Sequence, residues 1–499
     1  SGSLPLARAG DRCATCATIR PHGGGTMSIV GGAQTRRAWA ARTIALLGGS
    51  VALAACGGDA APAAAPTAAK PAPTTAPAPT TAAAAPAPTV APTAAAKPVT
   101  IKVTARTVSE AEMWDVRIPV FQKENPGITV EKDLNDGDIV AKITTLIAAG
   151  SIGDVVHTHP SQAQPQRLYL SKAMKDLDAL VARDKVDLKQ WYPAAIEAGR
   201  LDGKVISLPF KGKMAAVAFF YNKTLFDQAG VKVPDANTTI ADVMEAAVKL
   251  TKPDGSQWGL ATTLPKDSRT LTGTIRRWNA ELFDKDAKKA LLSSAEAGAA
   301  FAWFYDAFHR RKVADPKADF QKLFVEGKAA MLMNLDFNVK TAIHPAAKQF
   351  GYEYSAILAP KGPTGRRGGI WVPDAMQLSA TSPNPDQAWK VLQFFTNKDT
   401  GLALAMQKTG STTPGARPDV YTDPKFVNHE VFPKILQELD RDANELGETY
   451  QVPGNYKIPE VNKSLGDAVN KVWENQGEPT PAYLKALNDE LQVILDMPR

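Results

Sequence analysis

Apolar and polar residues alternate in three short segments, and two segments between them carry apolar residues at helical spacing. The alternation over residues 99–105 predicts a strand, and residues 128–131 and 154–156 predict two more. Residues 109–124 and 139–150 are interpreted as amphipathic helices. The resulting order βαβαβ predicts an α/β sheet with helices on both faces.

The same kind of pattern continues to the end of the chain. Further strands are predicted at 215–221, 258–260, 329–333 and 376–379, and further helices at 223–229, 239–250, 295–310, 319–324, 386–396 and 481–497. About 400 residues follow position 98, which is too many for one compact core, so two lobes are expected. Residues 106–109 and 157–162 follow strands at their carboxyl ends and are expected to line a ligand crevice.

Residues 57–98 consist almost wholly of Ala, Pro and Thr and show no periodic apolar face. Such a segment cannot bury enough apolar surface to offset the entropy of ordering it, so residues 56–98 are predicted to be a disordered linker. The use we infer for it is a tether that holds residues 99–499 above a membrane. A low-complexity tail without a role is the alternative.

The formal charge of +7 is concentrated near the N-terminus. Residues 1–98 carry +6 and residues 99–499 carry +1, with both signs interspersed. A nearly neutral folded part argues against nucleic-acid binding, which needs a concentrated basic surface. No cysteine follows Cys56, so neither a disulfide nor a thiol catalyst is expected in the folded part.

A short apolar segment at residues 43–55 lies between three arginines and a cysteine. Arg36, Arg37 and Arg42 supply the basic region of an export signal. The segment is too short to cross a membrane, which takes roughly 20 apolar residues. Leu53-Ala54-Ala55-Cys56 resembles the bacterial lipobox, in which the cysteine is acylated after cleavage. A chance Ala-rich stretch is the alternative.

The lipobox resemblance predicts an extracytoplasmic protein, anchored to the cell membrane through a lipidated Cys56. Residues 27–55 are then the signal peptide, and residues 1–26 an upstream segment that lies outside the fold. Thr35-Arg36-Arg37 resembles the start of a twin-arginine signal, and ordinary Sec export remains open.

Four segments in order resemble blocks of the family 1 extracellular solute-binding proteins, the sugar-type receptors of ABC importers. They are residues 221–230 (YNKTLFDQAG), 324–331 (FVEGKAAM), the pair Gly368-Gly369 followed by 382–395, and 410–417. Residues 150–156 resemble a further block, with Gly153 where the family usually has Pro. The resemblance covers residues 99–499.

The resemblance implies a two-lobed, periplasmic-binding-protein-like fold of type II with the solute held between the lobes. The first lobe is expected at about 99–210 and 374–415, and the second at about 214–370 and 418–499. It also implies a small polar solute, such as a mono- or oligosaccharide, and partners in an ABC permease and ATPase. A monomer without a cofactor and without catalytic activity is expected.

Aromatic and polar residues near the predicted strand ends are the candidates for holding a sugar. Aromatic rings stack on the weakly apolar faces of a sugar, and polar side chains bond its hydroxyls. From the family's pattern we select Asn334, Asp336 and Phe337, together with Trp278 and Trp371. For the three aromatic residues, burial in the core is the alternative.

Five further polar candidates lie near strand ends or near the first predicted crossing between lobes. They are Thr107, Ser109, His159, Gln162 and Lys213. Ser109 could instead cap the following helix, and Lys213, with Lys211, could favour an anionic solute or lie in a solvated hinge. His157-x-His159 offers two metal ligands without a third nearby, so no metal site is predicted.

A carbohydrate hydrolase on the cell surface is the alternative function. The sequence contains no GxSxG elbow, no HExxH motif and no GxxxxGK[ST] loop. A pair of catalytic carboxylates stays open, because any chain of this size has candidates. A structural surface lipoprotein is a third possibility, and it should lack a solute-sized cleft.

Overall fold

The computed structural model describes residues 98–106, 110–135, 139–215, 217–334, 342–408, 413–428, 439, 441–443, 448, 455–473 and 477–498. The chain divides into two units, residues 1–90 and 91–499, and the described residues all belong to the second. Cys56, the predicted signal peptide and nearly all of the predicted linker lie outside the described residues.

Strands and helices alternate along most of the described chain. The strands are β1 (Val99–Arg106), β2 (Ile128–Asn135), β3 (Val155–Thr158), β4 (Arg200–Leu201), β5 (Lys204–Val205), β6 (Leu208–Ala215), β7 (Ala218–Asn222), β8 (Trp258–Ala261), β9 (Ala329–Asn334), β10 (Tyr354–Leu358) and β11 (Ile370–Leu378). The helices are α1 (Ala111–Glu124), α2 (Ile139–Ala148), α3 (Gln164–Leu170), α4 (Asp178–Arg183), α5 (Pro193–Ala198), α6 (Lys223–Ala229), α7 (Ile240–Leu250), α8 (Ser268–Ile275), α9 (Ala295–Tyr305), α10 (Phe320–Val325), α11 (Ile343–Phe350), α12 (Pro385–Phe395), α13 (Lys398–Ala405), α14 (Pro418–Tyr421), α15 (Pro424–Val427), α16 (Ile458–Trp473) and α17 (Pro481–Leu495).

The first sheet has five strands in the order β2-β1-β3-β11-β6. Strands β2, β1 and β3 run parallel, and β11 pairs antiparallel with both β3 and β6. Helices α1 and α12 pack on this sheet. Their buried rings meet, since Trp114 and Phe395 have ring centroids 4.7 Å apart. The core of the first lobe therefore forms where these two helices cover the sheet.

The second sheet has four strands in the order β10-β7-β9-β8. Strand β7 pairs antiparallel with β10 and β9, and β8 runs parallel to β9. Helix α7 begins at a capping box formed by Thr239 and Asp242 and packs on β8. The contact is close at Gly259, where a Cβ atom would lie 2.0 Å from the carbonyl oxygen of Ala247. Only glycine fits at that point of β8.

The chain passes between the two sheets at two places. Strand β6 belongs to the first sheet and β7, which starts three residues after β6 ends, belongs to the second. The return runs from β10 in the second sheet to β11 in the first. Helices α16 and α17 pack with the second lobe's elements, whereas α14 and α15 lie with the first lobe, so the chain passes between the lobes again between α15 and α16. Two sheets joined by such crossings confirm the predicted two-lobed α/β fold.

Strand β11 is irregular at its centre. Pro373 cannot donate a ladder hydrogen bond, and the register against β6 shifts between Asp374 and Ala375. The consecutive residues Asp374 and Ala375 pair with Lys211 and Pro209 of β6, so the extra residue of this bulge is Phe210 of β6. The register shift lies next to Asp374, whose carboxylate contacts His157, His159 and Lys211.

Some details differ from the expectations drawn from the sequence. The strand predicted at 376–379 begins at Ile370, and the one predicted at 215–221 is divided between β6 and β7. Helices α14 and α15 pack on α13, so they lie with the first lobe's elements and not, as predicted, with a second lobe from about residue 418. Helix α1 starts at Ala111 with Glu110 at its N-cap position, and Ser109, considered as a cap, lies outside the described residues.

Within the described part of the chain, no helix combines the length and the apolar character that a membrane crossing requires.

Candidate functional site

Five titratable side chains meet at one edge of the first sheet, and we refer to them as the charged cluster. They are Glu110, His157, His159, Lys211 and Asp374. Glu110 stands at the start of α1, His157 lies in β3 and His159 follows it, while Lys211 and Asp374 lie in β6 and β11. The start of α1, the end of β3 and the central residues of β6 and β11 therefore meet at the same place.

Strand register accounts for the convergence. Asp374 is the direct partner of Lys211 in the β11–β6 pair, and Met376 is the partner of His157 in the β11–β3 pair. Side chains in a strand alternate between faces, so His157 and His159 point to the same face. Asp374 precedes Ala375, the register partner of Thr158, so its carboxylate stands beside the histidines that flank Thr158.

Short contacts connect the cluster. His159 Nδ1 lies 2.7 Å from Asp374 Oδ1, and His157 Nε2 lies 3.3 Å from Asp374 Oδ2. Lys211 Nζ donates a hydrogen bond to Glu110 Oε1 and lies 3.4 Å from Asp374 Oδ2. Asp374 is therefore shared by two imidazoles and one ammonium group.

The cluster is nearly removed from solvent. Glu110, His157, His159 and Lys211 are buried, and the side chain of Asp374 is 15% exposed. The ring of Phe210 stands edge-on against His157, with centroids 5.3 Å apart. Charges in such surroundings interact more strongly than they do in water.

Burial and neighbouring charges act in opposite directions on the pKa values of the cluster. Burial alone would raise the pKa of Asp374, but the charges of His159 and Lys211 hold it well below its ordinary value. Burial alone would lower the pKa of Lys211, but Glu110 and Asp374 raise it. Burial lowers the pKa of His157 and favours its neutral form.

Several polar atoms of the cluster are buried without a hydrogen bond. They are Oε2 of Glu110, both ring nitrogens of His157 and Nε2 of His159. His157 Nε2 is within ion-pair distance of Asp374, but the pair does not have the geometry of a hydrogen bond. Buried polar groups are nearly always satisfied, so this concentration marks a place that could bind something.

A second network of charges lies at the start of β11. Arg276 Nε lies 2.9 Å from Glu281 Oε2, and Arg366 Nη2 lies 2.8 Å from Glu281 Oε1. Both arginines also contact Glu448, whose carbonyl oxygen accepts a hydrogen bond from Trp371 N at 2.6 Å. These contacts fix the return crossing where it enters the first sheet.

Trp278 and Trp371, both predicted to stack on a sugar, are buried. Trp371 is 1% exposed and packs edge-on against Tyr192 with ring centroids 5.2 Å apart. Trp278 is 4% exposed and packs against Trp303 and Phe304 with centroids 5.6 and 5.9 Å away. Their role in solute binding stays a prediction.

The structure brings His159 into the charged cluster and leaves the other predicted residues apart from it or outside its description. Gln162 is exposed in a short 3-10 turn, Pro160–Gln162, and Lys213 is half-buried opposite Val372. Asn334 is the last residue of β9. Thr107, Ser109, Asp336 and Phe337 lie outside the described residues. None of these predicted roles is tested, and they remain predictions.

Sequence reasoning missed Glu110 and Asp374 as site residues. Both are charged residues that the fold buries, and Asp374 stands in an apolar strand directly after a proline. A carboxylate inside an otherwise apolar run is a signal that could have identified Asp374. Glu110 had no comparable signal, because acidic residues are common near helix N-termini.

Two α/β lobes connected by strand crossings, with a cluster of polar groups on β3, β6 and β11 of the first sheet, define a two-lobed binding protein. Residues 104–401 match the family model described as bacterial extracellular solute-binding protein, which is more than half of the chain, and the chain belongs to that family.

Known relatives agree with this assignment. A putative binding protein of Brucella abortus (strain 2308) is 28% identical over 298 residues, which are 56% of this chain and 67% of the relative. An ABC substrate-binding protein of Listeria monocytogenes, solved in complex with cycloalternan, matches with a TM-score of 0.66 at 19% identity, over 80% of this chain and 99% of that chain. The GacH receptor of Streptomyces glaucescens, studied with acarbose, matches with a TM-score of 0.65 at 21% identity, over 80% and 99%.

Proposed function

We propose that this protein is the lipid-anchored receptor of an ABC importer, and that it captures a carbohydrate or a related polar solute outside the cytoplasm. The observation that carries the proposal is the family match over residues 104–401, on a fold of two α/β lobes. Receptors of this kind perform no chemistry on their solute. The alternative of a carbohydrate hydrolase gains no support from the family.

The carbohydrate class is supported by what the similar structures are described as binding. Cycloalternan and acarbose are the ligands named for the Listeria and Streptomyces proteins. At about 20% identity this likeness shows the fold alone, so the solute of the present chain is a proposal. Among the residues predicted to bind the solute, His159 is the one that belongs to the charged cluster.

Lobe closure around the solute would be the working step. A solute that touches both lobes has more contacts in the closed form than in the open form, so it shifts the population towards closure. The strand crossings, β6 to β7 and β10 to β11, are the segments that would flex. The closed form would then dock on the permease.

Binding is tested by thermal shift of the purified full chain against cyclic and linear glucooligosaccharides, monosaccharides and polyols. A ligand at 100 times its Kd should stabilise the folded state by about 2.7 kcal/mol, and isothermal titration should then show one site. Small-angle scattering should record a smaller radius of gyration with that ligand. A panel in which no carbohydrate or polyol raises the melting temperature would refute the proposal.

Anchoring is tested through Cys56. Cys56→Ala should release the protein from membranes and abolish labelling by a radioactive fatty acid, because the acylated thiol is gone. Cys13→Ala is the matched control and should keep both anchoring and labelling. Membrane retention of the Cys56→Ala protein would contradict the predicted lipid anchor and leave the solute proposal untouched.

A further inference from the structure

We propose that His157, His159 and Asp374 form a binding site for a divalent transition-metal ion of the zinc type, at the edge of the first lobe's sheet. The proposal goes beyond solute capture and does not depend on it. It rests on three observations in the charged cluster: the donor set, the unpaired nitrogens and the charge.

The donor set suits such an ion. Each of the three residues offers one ligand atom, and these atoms all lie within 4.8 Å of one another. Two imidazoles and one carboxylate are typical ligands of Zn²⁺, at distances of about 2.0–2.2 Å. Ligand atoms at such distances on a tetrahedral centre are about 3.3 Å apart. His157 Nε2 lies 3.3 Å from Asp374 Oδ2 and His159 Nδ1 lies 2.7 Å from Asp374 Oδ1, so both imidazoles already face this carboxylate.

The unpaired nitrogens point to a ligand that is not a protein group. Within the described residues, Nδ1 of His157 and Nε2 of His159 are buried without a hydrogen bond, and Nε2 of His157 has only the ion-pair contact with Asp374 Oδ2 at 3.3 Å. A neutral imidazole offers one lone pair, which a metal ion can accept. His157 is 0% exposed and His159 is 6% exposed, so water has little access to supply the missing contacts.

The charge of the cluster also favours a cation. Glu110 and Lys211 form an ion pair whose formal charges cancel, which leaves the carboxylate of Asp374 with two imidazoles. A metal ion binds the neutral form of an imidazole, so the ligand set that would hold the ion has a formal charge of −1. A divalent ion that also holds a hydroxide would bring this charge to zero, and zinc-bound water loses its proton at about pH 7.

Lys211 sets a limit on this site. Its ammonium group lies 3.4 Å from Asp374 Oδ2 and competes with a metal for that oxygen. The other carboxylate oxygen, Oδ1, lies 2.7 Å from His159 Nδ1 and is not the oxygen that Lys211 contacts. We therefore expect binding through one oxygen of Asp374.

Direct metal titration tests the site. The full chain carries no tag and has Cys13 replaced by Ser, because Cys13 and Cys16 form a CxxC pair that could itself bind zinc. This protein is stripped of metal with EDTA, which is then removed, and ZnCl₂ is added in a calorimeter. One zinc ion per chain is expected. His157→Gln, His159→Gln and Asp374→Asn should each weaken binding at least tenfold. His344→Gln is the matched control and should bind as the parent does, because His344 lies on α11 in contact with Tyr354 and outside the cluster.

A second measurement covers variants that fail to fold. Co²⁺ bound to the parent chain should give the strong visible absorption of a four-coordinate centre, and X-ray absorption should count two imidazole ligands. Absence of zinc binding by the parent, or binding that all three cluster variants retain, would overturn the site. Solute binding is measured separately, by thermal shift against carbohydrates and polyols. Failure of the zinc site would therefore leave the solute proposal standing, and failure of the solute proposal would leave the zinc site standing.

Discussion

Lys211 is the most informative single residue to change, because it is the ammonium group that two buried carboxylates share. Its side chain is 6% exposed, and Glu110 is fully buried. Replacing Lys211 by Met keeps the volume of an unbranched side chain and removes the charge. Glu110 and Asp374 then lie in the protein interior without an ammonium partner.

The expected loss follows from that burial. Removing one partner of a buried ion pair costs about 3–5 kcal/mol, because the remaining charge is left without compensation. Lys211→Met should lower the free energy of unfolding by this amount at neutral pH. Glu110→Gln should cost less, roughly 1–3 kcal/mol, because Lys211 keeps Asp374 as a partner at 3.4 Å.

Urea unfolding of the two single variants and the double variant, all in EDTA, measures the coupling. The variant with both Lys211→Met and Glu110→Gln should lose less stability than the two single variants lose together. The reason is that the neutral amide at position 110 is not left as an uncompensated buried charge when the ammonium group is removed. Lys204→Met is the matched control. Lys204 pairs with Asp176 at 3.3 Å on the surface, where such a pair contributes about 0–1 kcal/mol. The reasoning fails if Lys211→Met costs no more than Lys204→Met.

Two further predictions test the second lobe. Gly259→Ala should destabilise the protein by about 3 kcal/mol, because the new Cβ would lie 2.0 Å from the backbone oxygen of Ala247. Gly298→Ala is the control: its new Cβ would lie 3.9 Å from its nearest neighbour, so this change should stabilise the protein by about 0.5 kcal/mol. Similar melting temperatures for the two variants would contradict the packing of α7 on β8. Thr239→Ala should cost about 1 kcal/mol at pH 7 through loss of the capping box. Hydrogen bonds from Thr239 lower the pKa of Asp242, so their contribution to stability is present above the unfolded pKa of about 3.9 and is lost as the pH falls through the lower folded pKa. Urea unfolding from pH 7 to 3 should therefore show that the cost of Thr239→Ala becomes smaller. A cost that does not change with pH would contradict the role of Thr239 in the capping box.

Local sequence patterns predicted the elements well where one period dominated. The alternation at 99–105 is strand β1, and the apolar spacing after Thr239 is helix α7. They failed where an apolar run was continuous. The apolar run at 215–221 contains the last residue of β6 and most of β7, which belong to different sheets, and such a run has no period to mark the division between them.

Strand β11 shows a second reason for failure. Its first half contains Pro373 and Asp374, which argue against a central strand when they are read locally. The fold accommodates both, since Gly212 lies opposite the proline and a register shift follows the aspartate. That accommodation depends on β6, which is about 160 residues earlier in the chain.

The amino-acid sequence was enough to predict the α/β class, most of the strands and helices, the lipobox-like segment and the ordered family blocks. These follow from local periodicity and from short motifs. Tertiary structure alone decided that Asp374 lies 2.7 Å from His159, which is 215 residues away in the chain, and that Glu110 pairs with Lys211. The physical reason is that burial and period are encoded locally, whereas the proximity of distant side chains depends on the order and register in which strands pair.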